Sequence, residues 1–473
     1  MTASPSLAPV VRMRRLDLAS AAPADVLERG SLCRRGAVPD EGIRSGARAI
    51  LDAVRTGGMA AVVDAGARFG GSLADGRLVI DRDELREARD RLERDDRRAL
   101  DQAIDHVMRF ASTQRPATTR TTIVPGIEIE RRWLPLGRVG CYVPGGFAPY
   151  PSSLIMTVAP ARVAGVGEIV VASPADAAGV VHPVLLGAAG LLEVDALLVA
   201  GGAQAIGALA FGVPDATPPL LPVDRIVGPG NAWVTAAKLE AAGIVGIDLP
   251  AGPSEGMVLA DDSADPVLVA ADLVTQAELG PDSPAILVTT SPAVADAVER
   301  EIDALLPRLE RRAILARALA THGRIALAPD LDAAIAFVDA YAPEHLSIDV
   351  RDPEAAAARI RHAGSIFVGP WAPESAGDYA TGANHVLPTG GLARSADALA
   401  VEAFGRFTQI QRVDERGLAA VRETVGRLAT AEGLTAHRNA VETRFRDRPA
   451  TAIHDVGASR PANRAANRPG ETA

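Results

Sequence analysis

The sequence predicts an α/β protein with two Rossmann-like parallel-sheet lobes and helical segments at its N-terminal and C-terminal ends. The chain has 473 residues. A single hydrophobic core rarely supports a chain of this length, so two or more lobes are expected. From about Arg131 onward, short β-branched runs alternate with helical segments rich in small residues. This alternation is typical of βαβ units, whose crossover helices cover both faces of a parallel sheet.

The composition narrows the class of protein. Hydrophobic residues make up 48% of the chain and charged residues 23%, and no apolar run approaches the ~18 residues of a membrane span. The net charge of −10 is spread along the chain, which argues against a nucleic-acid binder because such a protein needs a basic face. Cys33 and Cys141 indicate neither a disulfide framework nor a cysteine metal site. No export signal is visible, so we expect a cytoplasmic protein that binds neither membranes nor nucleic acid.

The first part of the chain is predicted to be helical. Apolar positions at three- and four-residue steps predict helices over residues 42–69 and 83–111. The dense arginine and glutamate residues of the second helix are expected on its solvent face. Val79 and Ile80 fit a short strand that precedes an acidic helix start.

Residues 139–248 carry the alternation of strands and helices. Strands are predicted at the start of 139–146 and at 168–173, 196–200, 225–228 and 245–248, with helices at 203–211 and 232–242. Two strand ends lead into glycine turns that open helices, one reaching Gln204 and the other Asn231. Such turns let backbone N–H groups and the helix dipole approach a phosphate. Neither turn has the GxGxxG spacing, so a tight turn without a ligand also fits the sequence.

A second α/β block begins near Asp248. Its predicted strands and helices are strands at 257–260, 285–289 and 324–327, and helices at 266–278, 292–318 and 331–341. Asp265 and Ser291 are expected to cap the first two helices, because each precedes a proline at the first helical position. An amphipathic helix is predicted at 415–432, and the residues beyond Arg446 are expected to be disordered because few of them are apolar.

The stretch 374–385 is unusual for a plain connector. It follows the apolar run 365–368, which fits a buried strand, and we expect a loop there because α/β proteins place their chemistry at strand ends. Asp378, Asn384 and His385 offer a carboxylate, an amide and an imidazole on a backbone with two glycines. A solvent-exposed turn fits the same residues, since Asp, Gly and Asn form turns for local reasons.

Two of the eight histidines have acidic neighbours that suggest chemistry. His345 follows Glu344 just before the strand-like residues 348–350, so the pair offers two proton acceptors of different pKa. A solvent-facing Glu–His pair also fits this spacing. His437 lies five residues after Glu432, which is not one helical face, so a bend at Gly433 is needed to direct both at one site.

Several motifs, in their order along the chain, resemble the signature blocks of the histidinol dehydrogenase family. They are YVPGG (142–146), GGAQ (201–204), GPGN (228–231), DLPAGPSE (248–255), QAE (276–278), PEH (343–345), ESAGDY (374–379), NHVLP (384–388) and ExLxAH (432–437). The resemblance covers about residues 124–444. It implies an NAD-dependent, zinc-assisted enzyme that oxidises L-histidinol to L-histidine in two hydride transfers, through the bound aldehyde and its hydrate. This activity supplies the last steps of histidine biosynthesis.

The resemblance also implies roles for individual residues. His345 would accept the alcohol proton as hydride leaves, and Glu344 would help activate water for addition to the aldehyde. Substrate would be bound by Ser254, Gln276, His345, Asp378, His385, Glu432 and His437, and NAD by Tyr142, Gln204 and Asn231. The family forms a homodimer of intertwined subunits in which the C-terminal segment reaches the partner's site.

One position departs from the family pattern. The family's zinc is held by Gln, His, Asp and His; Gln276, Asp378 and His437 match three of these, but the position three residues after Gln276 is Leu279. Leucine cannot donate to a metal, and an amide oxygen is a weak zinc ligand, so the remaining set of three is a poor one. The sequence therefore fits histidinol oxidation with a weakened zinc site, and it also fits two alternatives. One is oxidation of another amino- or acid-bearing alcohol with little or no zinc, and the other is a catalytically silent binding partner.

These assignments divide the chain into five segments. They are an N-terminal arm (1–30), a first α/β lobe with the acid/base and metal-site residues (31–140 plus 249–395), a second, NAD-binding α/β lobe (141–248), a C-terminal dimerisation segment (396–446) and a disordered tail (447–473).

Overall fold

The structure is a computed structural model of the chain that describes residues 12–145 and 148–446. The strands of this part are β1 (Arg14–Asp17), β2 (Val79–Asp81), β3 (Thr119–Val124), β4 (Ile127–Pro135), β5 (Arg138–Tyr142), β6 (Glu168–Ser173), β7 (Ala196–Val199), β8 (Arg225–Val227), β9 (Gly246–Ile247), β10 (Gly256–Ala260), β11 (Ala285–Thr289), β12 (Arg324–Leu327), β13 (His345–Asp349), β14 (Ser365–Val368) and β15 (Gly405–Val413).

The helices of the same part are α1 (Pro23–Cys33), α2 (Glu41–Phe69), α3 (Arg82–Asp90), α4 (Arg94–Ser112), α5 (Pro151–Ala164), α6 (Pro183–Leu191), α7 (Gly202–Phe211), α8 (Ala232–Ala241), α9 (Pro266–Glu278), α10 (Pro292–Leu305), α11 (Arg312–His322), α12 (Leu331–Tyr341), α13 (Pro353–Ala357), α14 (Glu374–Tyr379), α15 (Glu415–Ala431) and α16 (Thr435–Glu442). None of the helices in the described ranges is both long and apolar enough to span a bilayer.

The chain divides into two compact units. The first comprises the described residues up to Ala117 together with Trp133–Phe407, and it holds both α/β lobes. The second comprises Thr118–Arg132 and the described residues from Thr408 onward. The predicted tail at 447–473 and the first eleven residues lie outside the described part of the chain.

The second lobe is built on a six-stranded sheet with the order β2-β7-β6-β5-β8-β9. All its pairs are parallel except β2 with β7. Side chains alternate between two buried clusters, so Val139 and Cys141 of β5 face one cluster and Tyr142 faces the other. From β5 the chain adds β6 and β7 on one side of the sheet, and then β8 and β9 on the other side. The gap between β5 and β8 is therefore a topological switch point.

The first lobe repeats this arrangement with the order β1-β12-β11-β10-β13-β14, and all of its strands are parallel. Its central strand β10 is buried on both faces: Val258 and Ala260 face one apolar cluster, while Met257 and Leu259 face the other. The predicted fold class, two Rossmann-like parallel-sheet lobes, is therefore confirmed.

Strand pairing corrects the predicted lobe boundaries. Residues 31–140 were assigned to the first lobe, but β2 and β5 pair within the second-lobe sheet, and helices α2, α3 and α4 pack on α5 to α8. Residues 14–17, assigned to an N-terminal arm, form β1 and pair with β12 of the first lobe. An amphipathic helix or a short strand does not encode its partner locally, because the hydrophobic effect that buries it is non-directional.

Two predicted helices are each divided in the structure. The predicted helix 292–318 is α10 and α11, separated by a 3-10 turn at Leu306–Arg308 whose central residue, Pro307, has no N–H for helical bonding. The predicted helix 83–111 is α3 and α4, and α3 begins with a capping box between Asp81 and Glu84.

The second unit contains elements that the sequence did not predict as strands. Strands β15, β4 and β3 form a three-stranded sheet in that order. Buried Glu130 accepts hydrogen bonds from Arg120, Arg132 and Arg412 on these strands. The expected bend at Gly433 is confirmed, since that glycine has φ +72° and separates α15 from α16.

A buried ion pair fixes the turn after β8. Lys238 of α8 pairs with Asp248, and both side chains are almost fully buried. Lys238 Nζ also donates to Gly228 O (2.9 Å), while Gly228 N donates to Asp248 Oδ2 (2.7 Å). Gly228 has φ +112°, and a Cβ there would lie 2.1 Å from Tyr142 O, so only glycine fits this position.

Replacing Lys238 should destabilise the protein strongly. Lys238→Met leaves Asp248 buried without its counter-ion, which typically costs about 3–5 kcal/mol. The free energy of unfolding from chemical denaturation measures this loss. The matched control is Arg55→Met, which removes an exposed i,i+3 pair with Asp52 and should change the free energy by less than ~1 kcal/mol. Equal effects of the two substitutions would contradict this account.

Candidate active site

A large cavity lies at the carboxyl ends of the second-lobe strands. Its volume is about 1020 Å³, and its walls include Tyr142 at the end of β5, Ser173 at the end of β6 and Gly201 after β7. The cavity is therefore at the edge of the sheet where β5 and β8 reverse the strand order. Open α/β sheets bind their ligands in this crevice. All three predicted NAD residues, Tyr142, Gln204 and Asn231, line it.

Two helix N-termini face this cavity. Gly202 begins α7 with φ +64°, and its N–H donates to Tyr142 Oη (3.1 Å). Asn231 caps α8 by accepting from Trp233 N (3.0 Å) and Val234 N (3.2 Å). The described lining residues include no Lys or Arg, so a bound diphosphate would be neutralised by the helix N-termini. Burial raises the pKa of Tyr142 to about 12, which keeps the phenol neutral.

The predicted acid/base pair lies in the first lobe. His345 is the first residue of β13 and is paired with Gly256 of β10. Glu344 Oε2 accepts hydrogen bonds from Ser254 Oγ (2.8 Å) and from Glu255 N (2.9 Å). The pair is thus held at the amino ends of two parallel strands, and both side chains are buried. The solvent-facing alternative left open by the sequence is excluded.

His345 is poised as a neutral base. Its Nδ1 lies 3.8 Å from Glu344 Oε2 and 3.7 Å from Glu374 Oε1, and neither ring nitrogen has a hydrogen-bond partner among the described residues. Burial, followed by the nearby charge of His385, lowers the pKa of His345 to about 3. Burial raises the pKa of Glu344 to about 8, against the opposing effect of its two hydrogen bonds. At neutral pH the site therefore holds a neutral imidazole beside a largely protonated carboxyl group.

Glu374 is a site residue to which the sequence motifs assign no role. The stretch 374–385, expected as a loop, begins with the short helix α14, which puts Glu374 and Asp378 on one helical face. The helix approaches β14 so closely that a Cβ on Gly377 would lie 2.5 Å from the Phe367 ring. Burial, Asp378 and Glu344 raise the pKa of Glu374 well above its ordinary value. The i,i+4 spacing of Glu374 and Asp378 would place the two carboxylates on one face of a helix, but the sequence predicts a loop there.

Asp378 and His385 also lie together. His385 Nδ1 is 3.1 Å from Asp378 O and 3.6 Å from Asp378 Oδ1, and His385 Nε2 is 3.3 Å from Ser153 Oγ of α5. Burial raises the pKa of Asp378 to about 6 and lowers the pKa of His385 to about 4. The neighbouring Asn384 anchors this segment through a hydrogen bond from its Nδ2 to Met156 O (2.7 Å).

The donors around Gln276 do not match a four-ligand zinc site. Gln276 is buried, its Oε1 has no hydrogen-bond partner in the described part of the chain, and its Nε2 lies 3.4 Å from Ser254 Oγ. Leu279, at the end of α9, adds only an apolar side chain. Within residues 12–145 and 148–446, no group of three or more His, Cys, Asp or Glu side chains could hold a metal ion. An amide oxygen and one carboxylate are a weak set for zinc, which favours nitrogen and sulfur ligands.

The remaining predicted residues belong to the second unit. Glu432 is at the end of α15 and His437 is in α16, and both are exposed within the chain. The first unit thus brings together Ser254, Gln276, Glu344 and His345 in one contact network, and pairs Asp378 with His385.

Comparison with known proteins agrees with this geometry. The family model described as histidinol dehydrogenase matches residues 33–445. The histidinol dehydrogenase of Nocardia farcinica is 44% identical over 439 residues, covering 92% of this chain and 98% of that protein. The one from Leifsonia xyli subsp. xyli is 47% identical over 399 residues, covering 84% and 91%.

A solved structure is also similar along most of its length. The crystal structure of histidinol dehydrogenase from Elizabethkingia anophelis superposes with a TM-score of 0.84 at 33% identity, covering 92% of this chain and 98% of that one. The resemblance found from the ordered sequence motifs is therefore confirmed. The chain belongs to the histidinol dehydrogenase family, NAD-dependent oxidoreductases that catalyse the final steps of histidine biosynthesis.

Proposed function

We propose that this protein oxidises L-histidinol to L-histidine with NAD, through histidinaldehyde. The observation that carries the proposal is the buried Glu344–His345 pair, in which a neutral imidazole and a carboxyl group of raised pKa adjoin Ser254. A relative named histidinol dehydrogenase that shares 44% of its residues over 92% of the chain supports the same substrate.

The cofactor would occupy the cavity of the second lobe. Tyr142, Gln204 and Asn231 line this cavity, and its glycine turns and two helix N-termini suit a diphosphate. When bound there, NAD accepts one hydride in each of two successive oxidations. The chain's own residues would move the protons and direct water to the aldehyde carbon.

In the first oxidation, His345 would act as the base. Its Nδ1 lies towards the carboxyl groups of Glu344 and Glu374, so Nε2 is the atom left to accept the hydroxyl proton of the alcohol. As that proton leaves, the C–H electron pair departs as hydride and the alcohol becomes the aldehyde. Glu374 Oε1 lies 3.7 Å from Nδ1 and would face the imidazolium that forms.

In the second oxidation, Glu344 would act on water. The protonated His345 would return its proton to the aldehyde oxygen, while the Glu344 carboxylate takes a proton from the water molecule whose oxygen adds to the aldehyde carbon. This step gives the hydrate. His345 would then accept a hydroxyl proton of the hydrate while the second hydride leaves. Ser254 hydrogen-bonds to Glu344 and would fix the direction of its free oxygen.

Substrate binding would draw on residues of two subunits. His345 and His385 would contact the substrate from the first unit, together with Ser254, Gln276 and Asp378. Glu432 and His437 are proposed to contribute from the C-terminal segment of an intertwined partner subunit, as the family resemblance implies. No step of the reaction is assigned to a metal, because Leu279 leaves the zinc set without one of its two imidazoles.

Leu279 also favours a second candidate function. Since it replaces a group that would hold a substrate-binding metal, the site suits an amino- or acid-bearing alcohol that needs no metal contact. Histidinol and a panel of such alcohols, each assayed for NADH formation with and without a chelator, distinguish the two functions. Chelator-sensitive turnover of histidinol supports a residual zinc role, whereas zinc-free turnover of another alcohol alone would replace the primary proposal.

The base should be essential for turnover. His345→Asn removes the proton acceptor, and we expect kcat for NADH formation to fall by about 10²- to 10⁴-fold, the usual contribution of a general base. His322→Asn, a change in a first-lobe histidine whose Nε2 lies 3.8 Å from Asp282 Oδ1, is the matched control and should leave kcat unchanged. Full activity in His345→Asn would exclude the proposed mechanism, and absence of NADH formation by the wild type with any alcohol would indicate a catalytically silent protein.

The reaction rate should increase with pH. Glu344 acts as a carboxylate, and burial raises its pKa to about 8, so the active fraction falls about tenfold for each pH unit below that value. His345, whose pKa is lowered to about 3, stays neutral throughout this range and adds no inflection. A profile of kcat for aldehyde oxidation from roughly pH 6 to 10 should show one inflection near 8 that Glu344→Gln removes. An inflection near the ordinary glutamate value would contradict the assignment.

Restoring the missing imidazole should strengthen metal binding. Leu279→His adds a ligand one turn beyond Gln276, and zinc affinity should rise at least ~10-fold, since even outer-shell changes have effects of that size. Zinc content per subunit after dialysis against buffered zinc measures the change. Leu279→Ala, which removes the same side chain without adding a donor, is the control. Equal zinc content in all three proteins would show that position 279 does not adjoin a metal site.

A further inference from the structure

Arg35 lies in the connection between α1 and α2 and belongs to none of the family motifs. We propose that Arg35 is a positioning residue for the reaction, acting through Glu255 on Glu344 and His345. This inference rests on the proposed oxidation chemistry, and it deepens that chemistry by identifying what holds the acid/base pair in place.

The main chain of Glu255 holds both members of the pair. Its N–H donates to Glu344 Oε2 (2.9 Å), and its carbonyl oxygen accepts from His345 N (3.2 Å). A displacement of this one residue would therefore move the carboxyl group and the imidazole together. Glu255 is itself buried, so its position depends on how its side chain is held.

Arg35 is the charged partner of that side chain. Its Nε donates to Glu255 Oε2 (2.8 Å), and its Nη2 donates to Glu255 Oε1, which makes the pair bidentate. Gly390 N (3.2 Å) and Tyr341 Oη (3.3 Å) donate to the same carboxylate. With four donors around it, the Glu255 carboxylate has little freedom to move.

Arg35 also binds the segment that leads into Glu344. Its Nη1 donates to Tyr341 O (2.6 Å), its Nη2 lies 3.4 Å from Ala342 O, and its guanidinium stacks 3.3 Å from the centre of the Tyr341 ring. One side chain thus ties together the two chain segments whose pairing creates the acid/base site: the residues before β10 and those before β13.

The second of these segments is strained. Ala342 ends α12 with φ +54°, a left-handed conformation that non-glycine residues rarely adopt and that persists only when surrounding contacts impose it. Arg35 contacts the carbonyl oxygens of both Tyr341 and Ala342 in this turn. Without these contacts the turn can relax, and Glu344 and His345 lie only two and three residues further along the chain.

A small misplacement of catalytic groups can lower the rate by about 10²-fold. We therefore expect Arg35→Ala to reduce kcat about 10²-fold with the alcohol that the wild type oxidises, while KM changes by less than about threefold. Added ethylguanidinium, which replaces the missing donor group, should restore at least about tenfold of the lost kcat. Arg35→Lys keeps the charge without the bidentate geometry and should have a kcat between those of the wild type and Arg35→Ala. This variant tests the proposal even if Arg35→Ala does not fold.

Arg394→Ala is the matched control. Arg394 donates to Gly391 O (3.0 Å), Cys33 O (3.3 Å) and Ala340 O in the same region, but it makes no hydrogen bond to Glu255. Its kcat should stay within about threefold of the wild type. An equal loss of kcat in Arg394→Ala, unchanged kcat in Arg35→Ala, or wild-type kcat in Arg35→Lys would overturn the proposal. If the wild type oxidises another alcohol but not histidinol, the proposed substrate is wrong. The role of Arg35 is then tested with that other alcohol.

Discussion

The parallel pairing of β10 with β13 is the constraint on which the active site depends. It places Gly256 beside His345, and therefore puts the preceding residues, Ser254 and Glu255, within hydrogen-bond distance of Glu344. Because Gly256 has no side chain, Gln276 can approach the same point: a Cβ there would lie 2.8 Å from Gln276 Oε1. The chemistry is thus assembled from segments about 90 residues apart by main-chain hydrogen bonds of a sheet.

Burial gives these groups their chemical character at a cost in stability. Glu344, Glu374 and His345 are each nearly inaccessible to water, and several of their polar atoms have no partner within the described chain. Desolvation disfavours their charged forms, so the carboxyl groups have raised pKa values and the imidazole a lowered one. Groups of this kind destabilise a fold unless a ligand completes their contacts, which is the expected condition of a catalytic centre.

The two lobes use opposite ends of similar sheets. In the second lobe the cavity lies at the carboxyl ends of β5, β6 and β7, where the N-termini of α7 and α8 line it. In the first lobe the proposed acid/base pair lies at the amino ends of β10 and β13, and α14 contributes Glu374 to the same place. Strand order alone would direct attention to the carboxyl ends of both sheets, so the first-lobe site follows from its specific loops rather than from its topology.

The sequence by itself determined the fold class, and it predicted Glu344, His345, Ser254 and the three cavity residues as site residues, because short β-branched runs and ordered motifs are local properties of the chain. The sequence alone also shows that Leu279 departs from the zinc-ligand pattern of the family. Only the tertiary structure decided the pairing of β1, β2 and β5, the role of Glu374 and the contacts of Arg35. These depend on which distant segments meet, and hydrophobic burial, being non-directional, does not record that choice in any local pattern.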